Sequence, residues 1–98
     1  MSVTLCVLLW PQPGADDALT EYENKVLALV REHEGRVLQR ARRSGADDAP
    51  LEVQLLEFAS AGALSAYMTD ERRLALADDR DRAVARTQVI EVELLPPG

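Results

Sequence analysis

The run from Val3 to Trp10, Val-Thr-Leu-Cys-Val-Leu-Leu-Trp, is apolar on both sides of an extended backbone, and Pro11, Pro13 and Gly14 close it abruptly. Its length and its valines fit a strand buried on both faces. Alternation would send Val3, Leu5, Val7 and Leu9 to one side and Thr4, Cys6, Leu8 and Trp10 to the other. The chain's own helices can cover one face. Covering the second calls for another layer, a ligand or a second copy of the protein.

A chain of 98 residues has room for one domain, residues 1–98, built on a single core. An apolar fraction of 47% with 29% charged residues belongs to a globular protein, not to a disordered or membrane-spanning one. The opening run is far shorter than the roughly 20 residues of a membrane helix. It also lacks a preceding basic residue and meets Pro11, Pro13 and Asp16 where a signal-peptide cleavage site would fall, so a cytoplasmic protein is expected. The net charge of −6 repels phosphate backbones and anionic lipid, which makes nucleic acid and membrane unexpected partners. Cys6 is the sole cysteine, excluding an internal disulfide and a thiolate metal cluster within one chain. With no basic neighbour in sequence to activate it, it reads as an ordinary buried cysteine.

Helical spacing follows from about Asp16 to Glu34, where Leu19, Tyr22, Val26, Leu29, Val30 and His33 fall near one face. Asp16 and Asp17 suit the positive end of its dipole, and Gly35 stands where a helix commonly terminates. Arg36 to Arg43 predicts a strand whose four arginines suit a sheet edge. Ser44 to Pro50 predicts a loop, and Leu51 to Phe58 a strand in hairpin with its predecessor. Ser60 and Asp70 can each cap a short helix, giving one broken helical segment through Leu64, Tyr67, Met68, Leu74, Leu76 and Ala77. Thr87 to Leu95 predicts the last strand before Pro96 and Pro97. This order, folded with right-handed crossovers, gives an α+β, ferredoxin-like βαββαβ fold: a four-stranded antiparallel sheet of order 4-1-3-2 with the helices on one face.

With these elements placed, the chain resembles the dimeric α+β barrel superfamily, in particular a small branch of unknown function related to antibiotic-biosynthesis-monooxygenase-like proteins. The resemblance is carried by Tyr22-Glu23, by Glu32-His33-Glu34-Gly35-Arg36-Val37-Leu38, by Leu56-Glu57-Phe58-Ala59-Ser60, and by Tyr67 with Asp70-Glu71-Arg72-Arg73. It implies a homodimer of ferredoxin-like subunits. Its members include cofactor-independent monooxygenases, lactone isomerases and haem-handling enzymes beside many proteins of no known activity, so fold alone does not select a chemistry.

His33, the only histidine, reads as a capping or surface residue, because local spacing supplies no companion ligands for haem or metal. Neither a metal nor a cofactor is expected. The run Asp78 to Arg82 alternates in sign and reads as a solvated helix face. The resemblance makes Trp10, Tyr22, Asn24 and Tyr67 candidates to hold an aromatic substrate. Trp10 and Tyr22 are the pocket candidates, Tyr67 is both a core aromatic and a catalytic candidate, and Asn24 falls off the apolar stripe towards solvent. Glu57 is the second catalytic candidate. If Val53 and Leu55 face the helices, Glu57 does too, where it could carry a proton or be held ionised as structure. No motif for phosphate, nucleotide, flavin or serine-nucleophile chemistry appears.

Sorting every strand by side, with Val53, Leu55, Ile90, Val92 and Leu94 towards the helices, leaves an opposite face centred on Cys6, Leu8, Trp10, Leu56, Phe58 and Val89. Arg40, Arg42, Glu52, Glu91 and Glu93 would lie towards its edges. An apolar centre ringed by both charge signs predicts a homodimer joined through that face. The function expected is that of a homodimeric binding or accessory protein with a small-molecule ligand. The alternative is a cofactor-independent monooxygenase or isomerase acting on a small aromatic or lactone-like compound.

Overall fold

The computed structural model describes residues 1–45 and 47–98; Ala46, within the expected loop, lies outside the described residues. The apolar opening run is strand β1 (Val3–Pro11), paired antiparallel with β3 (Glu52–Phe58) on one side and β4 (Val84–Glu91) on the other. β2 (Gly35–Arg42) pairs with β3 at one edge, so the sheet runs β2-β3-β1-β4, the expected order read from its other side. β4 begins three residues before the expected Thr87 and ends at Glu91, four before Leu95.

The first helix is shorter than its spacing predicts. α1 spans Asp16–Leu27, and the chain then tightens into a 3-10 turn over Val30–His33. Glu34, at φ 55°, takes the left-handed conformation that closes this segment. Gly35, expected as the terminator, is instead the first residue of β2, and space requires a glycine there. A Cβ would lie 2.7 Å from the Phe58 ring and 2.8 Å from Val30 Cγ1. At the earlier turn, Gly14 does adopt positive φ, at 73°.

Between β3 and β4 the helical segment is broken, as expected, into α2 (Ala61–Met68), α3 (Glu71–Leu74) and α4 (Ala77–Ala83). Ser60 Oγ accepts from Ala63 N at 3.0 Å and Asp70 Oδ1 from Arg72 N at 2.8 Å, the two anticipated caps. Among the described residues, no helix is long and apolar enough to cross a membrane.

The pairing register fixes the faces, and for β3 it reverses the expectation. Residues directly opposite one another across an antiparallel pair share a face, and Leu5 pairs with Leu56, Val7 with Gln54 and Leu9 with Glu52. Glu52, Gln54, Leu56 and Phe58 therefore point to the helices and are buried, while Val53 is 39% exposed on the open face with Leu55 and Glu57. On β4 the same rule turns Thr87, Val89 and Glu91 to the helix side and Ile90 to the open face.

β2 carries an irregularity between Val37 and Gln39, leaving Leu38 without a partner. Before it, Gly35 and Val37 share the helix side with Phe58 and Leu56. After it, Arg40 and Arg42 do so opposite Gln54 and Glu52. The extra residue shifts the phase of the strand and re-aims two arginines that would otherwise face away.

Candidate functional site

A cavity of about 450 Å³ lies on the helix side of the sheet, within the roughly 300–1,000 Å³ of small-molecule sites. The sheet contributes Leu5, Val7, Leu9, Leu56 and Phe58, and the helices contribute Val26, Leu64 and Met68. Seven side chains bring polarity to this apolar lining: Tyr22 and Glu23 of α1, Gln54 of β3, Tyr67 of α2, Arg73 of α3, Arg80 of α4 and Thr87 of β4.

Glu23 is 6% exposed and Gln54 and Glu52 each 1%, which commits all three to internal partners. Gln54 Nε2 donates to Glu23 Oε1 at 2.9 Å and lies 3.3 Å from Glu52 Oε1. Glu52 is held by a two-pronged pair, Arg40 Nε to Oε1 at 2.7 Å and Arg40 Nη2 to Oε2 at 3.0 Å. The same guanidinium donates to Asn24 Oδ1 at 2.6 Å and to the Thr20 carbonyl at 3.1 Å.

These surroundings drive two neighbouring carboxyls apart. Burial raises the pKa of Glu23, and the charge of Glu52 adds to the rise beyond what the Gln54 bond and the arginines offset. Burial also presses Glu52 upward, but the hydrogen bonds led by Arg40 outweigh it and hold that group below its ordinary value. One acid kept ionised beside another biased towards its proton is an arrangement suited to acid–base work.

Aromatic groups and a cation share the cavity with Glu23. The rings of Phe58 and Tyr67 stand 5.4 Å apart, and the Arg73 guanidinium lies 5.1 Å from the Tyr67 ring centre. Burial raises both phenols, of Tyr22 and Tyr67, while Arg73 acts in the opposite sense on each. Arg73 is positioned from outside the cavity: His33 Nε2 meets Asp70 Oδ2 at 2.7 Å, and Asp70 caps the helix that carries Arg73. Bonds from Arg72 first, then His33, hold Asp70 well below the usual carboxylate range.

The structure brings Tyr22 and Tyr67 into one cavity and sets Trp10 and Glu57 on the other face of the sheet. Trp10 Nε1 donates to the Asp48 carbonyl at 3.0 Å with Arg86 4.3 Å from its ring centre, and Glu57 pairs with Arg36 at 2.9 Å. The inward orientation expected for Glu57 is thus corrected, because Glu57 follows Val53 and Leu55 outward. Of the six residues expected on the open face, Cys6, Leu8 and Trp10 lie there. Leu56 and Phe58, 4% and 0% exposed, belong to the core, and Val89 lines the cavity. Arg40, Arg42, Glu52 and Glu91, expected near the edges of that face, are on the helix side.

Sequence reading passed over Glu23, Gln54, Arg73 and Arg80. Glu23 had a signal, lying four residues after Leu19 and three before Val26, on the stripe that buries α1. Gln54 alternates with Leu56 and Phe58, so the face assignment that misplaced them misplaced it too. Arg73 and Arg80 follow from no local pattern; only the breaks between α2, α3 and α4 turn them to the cavity.

No family model matches the chain, and no curated protein sequence matches it. Solved structures do. A protein of unknown function from Rhodopseudomonas palustris superposes with a TM-score of 0.78 at 17% identity, over 98% of this chain and 84% of that one. A Bacteroides thetaiotaomicron protein called a "putative antibiotic biosynthesis monooxygenase" gives 0.72 at 16% identity, over 99% and 92%. A dimeric protein of unknown function and ferredoxin-like fold from Bacteroides fragilis gives 0.66 at 11%, over 95% and 96%. At these identities the likeness is one of fold, the fold expected from the order of strands and helices: this chain has a ferredoxin-like α+β fold.

Proposed function

We propose that the protein is a cytoplasmic homodimer in which each subunit binds a small, largely apolar compound in the cavity between helices and sheet. The observation that carries this reading is the cavity itself, an apolar space of about 450 Å³ into which buried Glu23 and Gln54 converge with two tyrosines. Apolar lining supplies affinity and a few placed polar groups set orientation. Dimerisation is supported by the open face, where Cys6, Leu8, Val53, Leu55 and Ile90 form an apolar centre flanked by the Arg36–Glu57 pair, and by the likeness to a protein described as dimeric.

The raised pKa of Glu23 favours a second reading, cofactor-independent isomerisation of a small aromatic or lactone-like compound. The Glu23 carboxylate would take a proton from an acidic carbon, and the resulting acid would return it to another carbon of the same molecule. Screening one- and two-ring aromatic compounds by thermal shift, then titrating the hits calorimetrically, tests the binding reading. Saturable binding weakened several-fold by Tyr67→Phe or Leu64→Trp supports it, and hits indifferent to both substitutions would refute it. Isomerisation requires in addition that Glu23→Gln abolish turnover while leaving binding intact.

A further inference from the structure

We infer that the compound bound in the cavity carries a carboxylate, received by the guanidinium of Arg73 with Arg80 alongside on the same helical wall. The inference rests on the cavity being the binding site and adds the chemical class of its ligand. Among the described residues, Arg36, Arg40, Arg42, Arg43, Arg72 and Arg82 each lie within 4.0 Å of a carboxylate. Arg73 and Arg80, the arginines that line the cavity, have no such partner, and the other two without one, Arg31 and Arg86, are exposed elsewhere on the surface.

Shortage of acids does not explain the contrast. The chain has 17 acidic side chains against 11 basic ones, and Asp70, Glu71, Asp78, Asp79 and Asp81 stand beside these arginines in sequence. Asp79 bonds Arg82 and Lys25, and Asp70 bonds Arg72 and His33. The segment of α3 and α4 thus keeps its own carboxylates outside the cavity and leaves two cations on its wall, while the one carboxyl in the lining, Glu23, comes from α1. Arg73 Nε is moreover shut off from solvent with no hydrogen-bond partner among the described residues, an unmet donor at the margin of an apolar space. A carboxylate suits such a site because it accepts two parallel bonds from one guanidinium, and the half-buried setting of Arg73 strengthens the attraction, while Arg80 is exposed and adds a longer-range charge. Apart from Glu23, Gln54 and Thr87 the rest of the lining is apolar and aromatic, so the ligand is an aromatic or alicyclic acid of about one or two rings, with its acid end towards α3 and α4.

The test compares 2-naphthoate with its primary amide, which has nearly the same shape and no charge, in calorimetric titrations of the wild-type protein at pH 7.5. Naphthoate should bind about tenfold more tightly, the worth of a charge-assisted bond. Arg73→Met should remove most of that difference while leaving amide affinity within about twofold, and Arg73→Lys should restore part of it. Raising the salt concentration should weaken the acid and leave the amide unchanged. Equal affinities for acid and amide in the wild type would overturn the inference while leaving the cavity a binding site. Absence of binding by both would overturn the binding reading with it. The acid–amide comparison needs no variant, and a circular-dichroism melt of each variant confirms that it is folded.

Discussion

Gln54 Nε2 stands 2.9 Å from Glu23 Oε1 and 3.3 Å from Glu52 Oε1, so one amide group on β3 serves two carboxyls whose proton affinities are driven in opposite directions. The polar centre of the core is thereby tied to the pH of the surroundings, with opposite signs for its two acids.

Glu23→Gln should raise stability more at pH 8 than at pH 5. The folded-state pKa of Glu23 lies above its unfolded value, so protonated Glu23 contributes stability fully below the unfolded pKa, and that contribution disappears as pH rises through the folded one. The glutamine keeps an acceptor for Gln54 and never pays the desolvation cost of a charge. Glu52→Gln should behave in the opposite way. Its folded-state pKa is depressed, so its contribution is present above the unfolded value and is lost as pH falls through the folded one. Urea midpoints for both variants between pH 3 and 8 check this, and parallel pH profiles would contradict it.

Arg40→Met should cost on the order of 3 kcal/mol, because it strands the Glu52 carboxylate in a buried site without its cation. The double variant Arg40→Met with Glu52→Met should recover much of that loss, since removing both charges also removes their desolvation. Urea unfolding of the two singles and the double supplies the cycle. Simple additivity would mean that the pair is not the coupled unit its geometry describes.

The extent to which this arrangement could be read from the sequence is clearest in the contrast between β1 and β3. β1 is apolar at nearly every position and closed by prolines at its C-terminal end, so its central place and the sheet order follow from pattern alone. β3 has apolar residues on both of its sides, Val53 and Leu55 on one and Leu56 and Phe58 on the other. A period-2 reading of such a strand has two answers one residue apart. The true face buries Glu52 and Gln54, which hydrophobicity argues against, and it succeeds because Arg40 and Glu23 meet them from β2 and α1. Arg40 itself reaches inward only past the bulge at Leu38, a phase shift that no local signal announces. Tyr22 and Tyr67 were legible as aromatics on apolar helix faces. The polar half of the site was not, since its members are brought together by register and not by spacing along the chain.

Substitutions at adjacent positions 34 and 35 should have opposite signs. Gly35→Ala places a methyl against Phe58 and Val30 at distances no ordinary Cβ tolerates, and should destabilise by about 1–3 kcal/mol. Glu34 holds a positive φ that penalises residues with a Cβ, so Glu34→Gly should stabilise by up to about 1 kcal/mol. Thermal or urea midpoints of the two variants decide it. A stabilising Gly35→Ala would mean that β2 enters the sheet differently.

Leu8→Asp and Leu56→Asp should fail in different ways. Leu8 lies on the open face with Cys6, Val53, Leu55 and Ile90, whereas Leu56 is 4% exposed beneath the helices. Each large apolar side chain buried in a two-fold interface can contribute about 1.5–3 kcal/mol, so a handful exceed an association cost of roughly 4–15 kcal/mol. The wild type should therefore sediment at twice its 10.8 kDa subunit mass at micromolar concentration. Leu8→Asp inserts a charge into that interface and should give a folded monomer, or a subunit stable only at lower temperature once its partner is lost. Leu56→Asp buries an unpaired carboxylate in the core and should abolish the folded far-ultraviolet spectrum at any concentration. A stable wild-type monomer would remove the dimer. A Leu8→Asp protein that remains dimeric would show that the two copies meet through a surface other than the open face of the sheet.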